Sequence, residues 1–116
     1  MLDDKRLATI FRAFASERDW DQFHTPKNLA ASLSIESAEL LEIFQWSRGQ
    51  NGWMDLQDST TRVRVEEELA DILLYLIRFA DLAGIDLERA AEAKMQMNVA
   101  KYPVERFRGS DRKYNE

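Results

Sequence analysis

Residues 59–83 read S-T-T-R-V-R-V-E-E-E-L-A-D-I-L-L-Y-L-I-R-F-A-D-L-A, without glycine or proline, and run up against Gly84. Apolar residues recurring at helical spacing over this length specify a helix. Asp58, Ser59 or Thr60 caps its start, and Gly84 suits the residue just past its end. At ~100° per residue, with Glu68 set at zero, Tyr75 and Phe79 flank it within ~20°, and Val65 and Ile72 lie within ~60°. Asp71 sits ~60° to the other side, beside Leu82. Glu68 therefore projects from the middle of a stripe that should be buried. The opposite side carries Leu69, Leu73, Ile77 and Ala80, with Leu74 on a further side, so the helix is apolar nearly all round.

The preceding helix repeats the anomaly. Thr25 is its expected N-cap and Pro26 its first residue, where a missing N–H costs nothing, and it continues to about Trp46. It contains S-I-E-S-A-E-L-L-E at 34–42. With Glu36 at zero, Leu29 and Ile43 lie within ~20°, Leu40 at ~40° and Leu33 at ~60°, while Glu39 shares the stripe's edge ~60° to the other side. Glu36 lies ten residues before Trp46, and Glu68 ten after Asp58. At ~1.5 Å per residue each is ~15 Å from the connecting loop, so an antiparallel hairpin sets them level. Four carboxylates in one apolar groove repel unless neutralised. Basic residues are scarce on those faces, and an all-oxygen donor set suits Mg²⁺ or Mn²⁺.

The rest of the chain fits an all-α, four-helix bundle-like protomer forming a single domain, 1–116. A first helix is expected from Asp3 or Asp4 to about Arg18, and a loop over 47–58. Asp86 caps a fourth helix that Pro103 breaks, and 103–116 is a polar, irregular tail. The composition narrows the chemistry. The 116 residues include no cysteine and one histidine, which excludes thiolate metal sites, a cysteine nucleophile and any site needing two imidazoles. A ferritin-like di-iron centre fails as well, since it requires a Glu-x-x-His on each of two helices. With 21 acidic and 16 basic residues the net charge is −5, which argues against a nucleic-acid polymer or an anionic membrane as partner. No secretory leader and no membrane span is legible, making the cytoplasm the expected compartment.

A magnesium ion on carboxylates completes its shell with waters and substrate phosphates, so the expected substrate is a phosphorylated small molecule. Trp20, Phe23 and His24 cluster ahead of the second helix and Trp46 closes it, offering flat surfaces for a base. Lys94, Asn98 and Lys101 share one face of the fourth helix, with Tyr102 adjacent. These residues also admit plainer roles in packing, capping or solvation.

The chain resembles the MazG-like all-α nucleotide pyrophosphohydrolases, and among them the small dCTP pyrophosphatase branch. The resemblance rests on R-D-W-D-Q-F-H-T-P-K-N-L, E-L-L-E-I-F-Q-W, E-E-L-A-D-I-L-L-Y-L and the closing K-Y-P and R-G-S-x-x-K-Y. It implies hydrolysis of a nucleoside triphosphate, dCTP or a modified dCTP foremost, between the α and β phosphates. It further implies that Glu36, Glu39, Glu68 and Asp71 bind Mg²⁺. Trp20, His24 and Trp46 would lie near base and sugar, Lys94, Asn98 and Tyr102 on the phosphate side, and Tyr75 is a further expected substrate-binding residue. Glu39, with Glu36, is the expected catalytic pair, orienting or deprotonating the attacking water. A homo-oligomer, by resemblance a dimer of dimers, would cover the surplus apolar faces. Two alternatives remain open: a non-catalytic helical interaction protein, and a magnesium-dependent phosphohydrolase of another phosphorylated molecule.

Overall fold

A computed structural model describes residues 1–47, 49 and 52–116 of the chain, and these contain helices and no strand. The helices are α1 (Asp4–Glu17), α2 (Pro26–Ile43), α3 (Ser59–Ala83), α4 (Leu87–Lys101) and a single turn, α5 (Val104–Phe107). Short 3-10 turns occupy Asp21–Phe23 and Gly52–Gln57.

Each long helix begins where a side-chain oxygen satisfies an amide of the first turn. Asp3 accepts from the Arg6 amide at 3.0 Å, Thr25 from Asn28 at 3.2 Å, Asp58 from Thr61 at 2.9 Å and Asp86 from Arg89 at 3.1 Å. Pro26 stands at the first position of α2, as its fixed φ favours. Gly84 follows α3 with φ +68°, the left-handed conformation that ends a helix at little steric cost.

Two boundaries differ from the sequence reading. α2 stops at Ile43, three residues short of Trp46, and the chain turns through Phe44–Trp46. The tail is not wholly irregular: α5 forms after Pro103, and Phe107 is buried, its ring 4.9 Å from that of Tyr102. The expected 47–58 loop contains the 3-10 turn Gly52–Gln57, while positions 48, 50 and 51 lie outside the described residues.

The chain forms two compact units, Met1–Ala83 and Gly84–Glu116. In the first, α3 packs against both α1 and α2. Glu36 meets Glu68, Ser32 meets Tyr75, and Leu29 lies with Phe79, so ascending α2 reads descending α3. This is the antiparallel, level register that the spacing requires. The core comprises Ala8, Phe11 and Ala15 from α1, Leu29 from α2, and Val65, Ile77 and Ala80 from α3. Arg12 of α1 holds Asp81 of α3 in a two-pronged pair, Nη2 to Oδ1 at 2.7 Å and Nε to Oδ2 at 3.2 Å. The second unit contains α4 and α5, with Tyr114 stacked edge-on against Tyr102 and beneath the Lys101 ammonium.

Of the residues on the side of α3 opposite Glu68, Ile77 and Ala80 are buried within the chain. Leu69 and Leu76 of α3, and Ile35 and Leu41 of α2, remain exposed.

Leu29 is 2% exposed at the α2–α3 contact. Leu29→Ala is expected to lower unfolding free energy by about 2–5 kcal/mol through lost burial and a residual cavity. The volume-conserving Leu29→Met should lose less than about 1.5 kcal/mol. Urea unfolding followed by circular dichroism measures both.

Candidate metal and nucleotide site

Glu36 and Glu39 stand one turn apart on α2, and Glu68 comes to them from α3. One carboxylate oxygen of each lies within 4.8 Å of those of the other two. All three side chains are half-buried. One oxygen of Glu36 and one of Glu68 are fully shielded from solvent and accept no hydrogen bond among the described residues.

A buried carboxylate oxygen without a partner is costly, and here two of them face each other's charge. Burial, followed by the neighbouring Glu39, Glu68 and Asp71, pushes the Glu36 carboxyl up from its ordinary 4.5 to about 7. Burial also raises Glu68, whose titration is tied to that of its neighbours. The donor set is entirely oxygen and anionic, and it fits a hard divalent cation.

Of the four acids singled out by sequence, three converge and Asp71 falls outside that cluster. Asp71 is nevertheless close enough for its charge to raise both Glu36 and Tyr75. It borders an apolar recess formed with Ile10, Phe11, Phe14, Leu74 and Tyr75.

One turn from Glu36 along α2 and two turns from Glu68 along α3, the groove opens into a cleft of about 260 Å³. Trp20, Phe23, His24, Asn28, Ser32 and Tyr75 line it, with Leu29 at its floor. Trp20 meets Phe14 edge-on at 5.4 Å and His24 at 6.4 Å, which fixes the tryptophan as a cleft wall. Tyr75 is shared between acids and cleft. Burial, then the charges of Glu36 and Asp71, hold its phenol above the usual range and therefore protonated.

Trp20, His24 and Tyr75 thus line one cleft. Trp46 is 88% exposed and does not line the cleft. Lys94, Asn98 and Tyr102 fall on the second unit, along α4 and at its C-cap. There Asn98 is half-buried and its carbonyl accepts the Tyr102 amide at 2.9 Å.

Sequence reading missed the residues that hold the cleft in shape. Arg78 is 1% exposed, and it ties α3 to the segment before α2 through His24 and Asp21. Asn28 donates its Nδ2 to the Phe23 carbonyl at 2.9 Å and fastens that segment to the first turn of α2. The usable signal was the one charge inside I-L-L-Y-L-I-R-F-A, since an arginine there must find partners or leave the core.

The geometry defines an all-helical protein with a carboxylate cluster suited to a divalent cation beside an aromatic cleft. Residues 31–116 match the MazG-like family, and the chain belongs to it. It is 43% identical to dCTP pyrophosphatase 1 of Homo sapiens over 114 residues, which covers 95% of this chain and 65% of that protein. Against dCTP pyrophosphatase 1 of Rattus norvegicus it is 43% identical over 110 residues, with the same shares. The chain therefore spans just under two thirds of the length of these curated relatives. A pyrophosphatase from Archaeoglobus fulgidus DSM 4304, known from its crystal structure, superposes with a TM-score of 0.79 at 47% identity, covering 85% of this chain and 91% of that one.

Without metal, the raised Glu36 has a definite consequence for stability. Between pH 4.5 and about 7 the folded state keeps a proton that the unfolded state has released, so stability falls as pH rises through this window. The melting temperature of protein kept in chelator should decline across it. Added Mg²⁺ or Mn²⁺ should restore it above pH 7, and Glu36→Gln should flatten the decline and remove the response to metal. Differential scanning calorimetry at several pH values tests all three.

Proposed function

We propose that the chain hydrolyses a (deoxy)nucleoside triphosphate, dCTP or a modified dCTP foremost, to monophosphate and pyrophosphate, with Mg²⁺ as its cofactor. The observation carrying this reading is the trio Glu36, Glu39 and Glu68, with two shielded, unpartnered oxygens, next to an aromatic cleft on the same two helices. The family, and relatives named dCTP pyrophosphatase 1, point the same way.

Glu36, Glu39 and Glu68 would hold the cation, with Asp71 adding charge nearby. When bound, the metal neutralises phosphate charge and lowers the pKa of a coordinated water. The protein's own part begins in the cleft. Trp20 and Phe23 offer ring surfaces for a base, and the Tyr75 phenol offers a proton toward the sugar or α-phosphate. Glu39 orients the attacking water and takes its proton as the water oxygen bonds to the α-phosphorus. The bond from that phosphorus to the bridging oxygen breaks in line, and pyrophosphate leaves. The family resemblance assigns Lys94, Asn98 and Tyr102 to the phosphate side, where Lys94 would offset charge on the leaving group. Trp46 is kept as a contact near base or sugar on the resemblance alone.

The exposed Ile35, Leu41, Leu69 and Leu76 favour assembly with further copies of the chain, and the family resemblance makes that assembly a dimer of dimers. No helix among the described residues is long and apolar enough to cross a membrane, which agrees with a site of action in the cytoplasm.

Incubation with Mg²⁺ and a panel of canonical and modified nucleoside triphosphates, with products separated by chromatography, tests the reading. Monophosphate and pyrophosphate are the expected products. Glu36→Gln and Glu68→Gln should each lower kcat/KM at least about a hundredfold while folding normally. Orthophosphate as product would indicate a different phosphohydrolase. Inactivity across the panel, with no metal-dependent change in melting temperature, would indicate a binding protein.

A further inference from the structure

Arg78 is the largest fully buried side chain among the described residues. A guanidinium is charged at every accessible pH and can only donate hydrogen bonds. Its Nη2 donates to Asp21 Oδ1 at 2.7 Å, and its Nε donates to His24 Nδ1 at 3.0 Å. The second contact fixes more than position. For Nδ1 to accept, it must carry no proton, and a neutral imidazole then carries its proton on Nε2. Burial and the adjacent Arg78 charge both lower the His24 pKa, against a smaller opposing effect of Asp21, and so favour the neutral ring.

His24 lines the same cleft as Trp20, Phe23 and Tyr75. With Nδ1 engaged by Arg78, Nε2–H is the polar edge that the ring has left for a ligand. Asn28 complements it: its Nδ2 is held by the Phe23 carbonyl, which leaves Oδ1 as the acceptor end of that amide.

We infer that Arg78 is a positioning residue for nucleotide recognition: through its bond to Nδ1 it holds His24 as the Nε2–H tautomer, so that the cleft presents a donor there and selects ligands bearing an acceptor opposite it. The inference rests on the nucleotide reading of the cleft for its ligand, but the tautomer itself does not. A purely structural Arg78 would tie Asp21 and His24 to α3 without any effect on ligand affinity beyond that of lost stability.

Because His24 is the sole histidine, nitrogen-15 NMR of the wild-type chain reads this one imidazole without assignment. The expected spectrum at pH 7 shows a neutral ring with Nε2 protonated and Nδ1 bare. An imidazolium, or a proton on Nδ1, overturns the inference. Addition of deoxycytidine, which carries no phosphate for the metal-free acids to repel, should move the Nε2–H resonance, and an unmoved resonance likewise overturns it. This measurement stands even if wild-type protein proves inactive on every triphosphate, an outcome that would defeat the proposed reaction alone.

Where dCTP is hydrolysed, Arg78→Met should raise KM about tenfold, roughly the worth of one hydrogen bond, with kcat within about twofold. Arg78→Lys, which keeps a donor and the charge, should recover part of that loss. His24→Gln can accept from Arg78 and donate into the cleft, and should stay within about threefold of wild type in KM. His24→Leu should match Arg78→Met. Should Arg78→Met not fold, the two His24 variants decide: equal KM values for Gln and Leu overturn the inference.

Discussion

The repulsion among Glu36, Glu39 and Glu68 is the constraint around which the first unit is arranged. These carboxylates emerge from apolar stripes, so the burial that pairs α2 with α3 also forces the charges together. Neither helix can turn its acids outward without exposing Leu29 or Phe79 on the same stripe. Hydrophobic pairing thus holds the acids in place, and the acids make the pairing sensitive to whatever neutralises them. The raised carboxyl of Glu36 expresses that conflict, which proton and divalent cation can each relieve.

The surroundings supply what the groove itself lacks. Arg12 and Asp81 join α1 to α3 at the periphery, where a two-pronged ion pair can form with little burial of charge. Arg78 satisfies a similar need inside, but its partners are a carboxylate at the surface and an imidazole in the cleft. Among the described residues, no salt bridge joins a basic side chain to Glu36, Glu39 or Glu68.

Much of this was legible in the sequence because it depends on periodicity. The caps at Thr25, Asp58 and Asp86, the stop at Gly84 and the level pairing of Glu36 with Glu68 all follow from local chemistry and a fixed rise per residue. What escaped depends on a third dimension. A helical wheel sets Asp71 as near to Glu68 as Glu39 is to Glu36, but it does not show which carboxylate leans across the groove. Trp46 looked like the last residue of a helix, and α2 ended a turn earlier and left its ring in solvent. Arg78 was overlooked because its partners, His24 and Asp21, lie more than fifty residues away in a segment with no periodicity to place them. A wheel likewise counts apolar faces on α3 without showing that the same chain covers Ile77 and Ala80.

α3 is one continuous helix, and along it follow Glu68, Asp71, Tyr75 and Arg78. Their separations are set by a rise of ~1.5 Å per residue, which places the cluster acid ~10 Å from the tyrosine and ~15 Å from the arginine that holds the imidazole. A straight helix does not stretch, so these four residues form a gauge. On the proposed reading, a ligand held at its charged end through a cation on the acids and at its flat end by the cleft would be measured for length before its chemical identity is read. Two molecules with the same base and a different number of atoms between base and reacting phosphorus would be told apart by helical pitch alone.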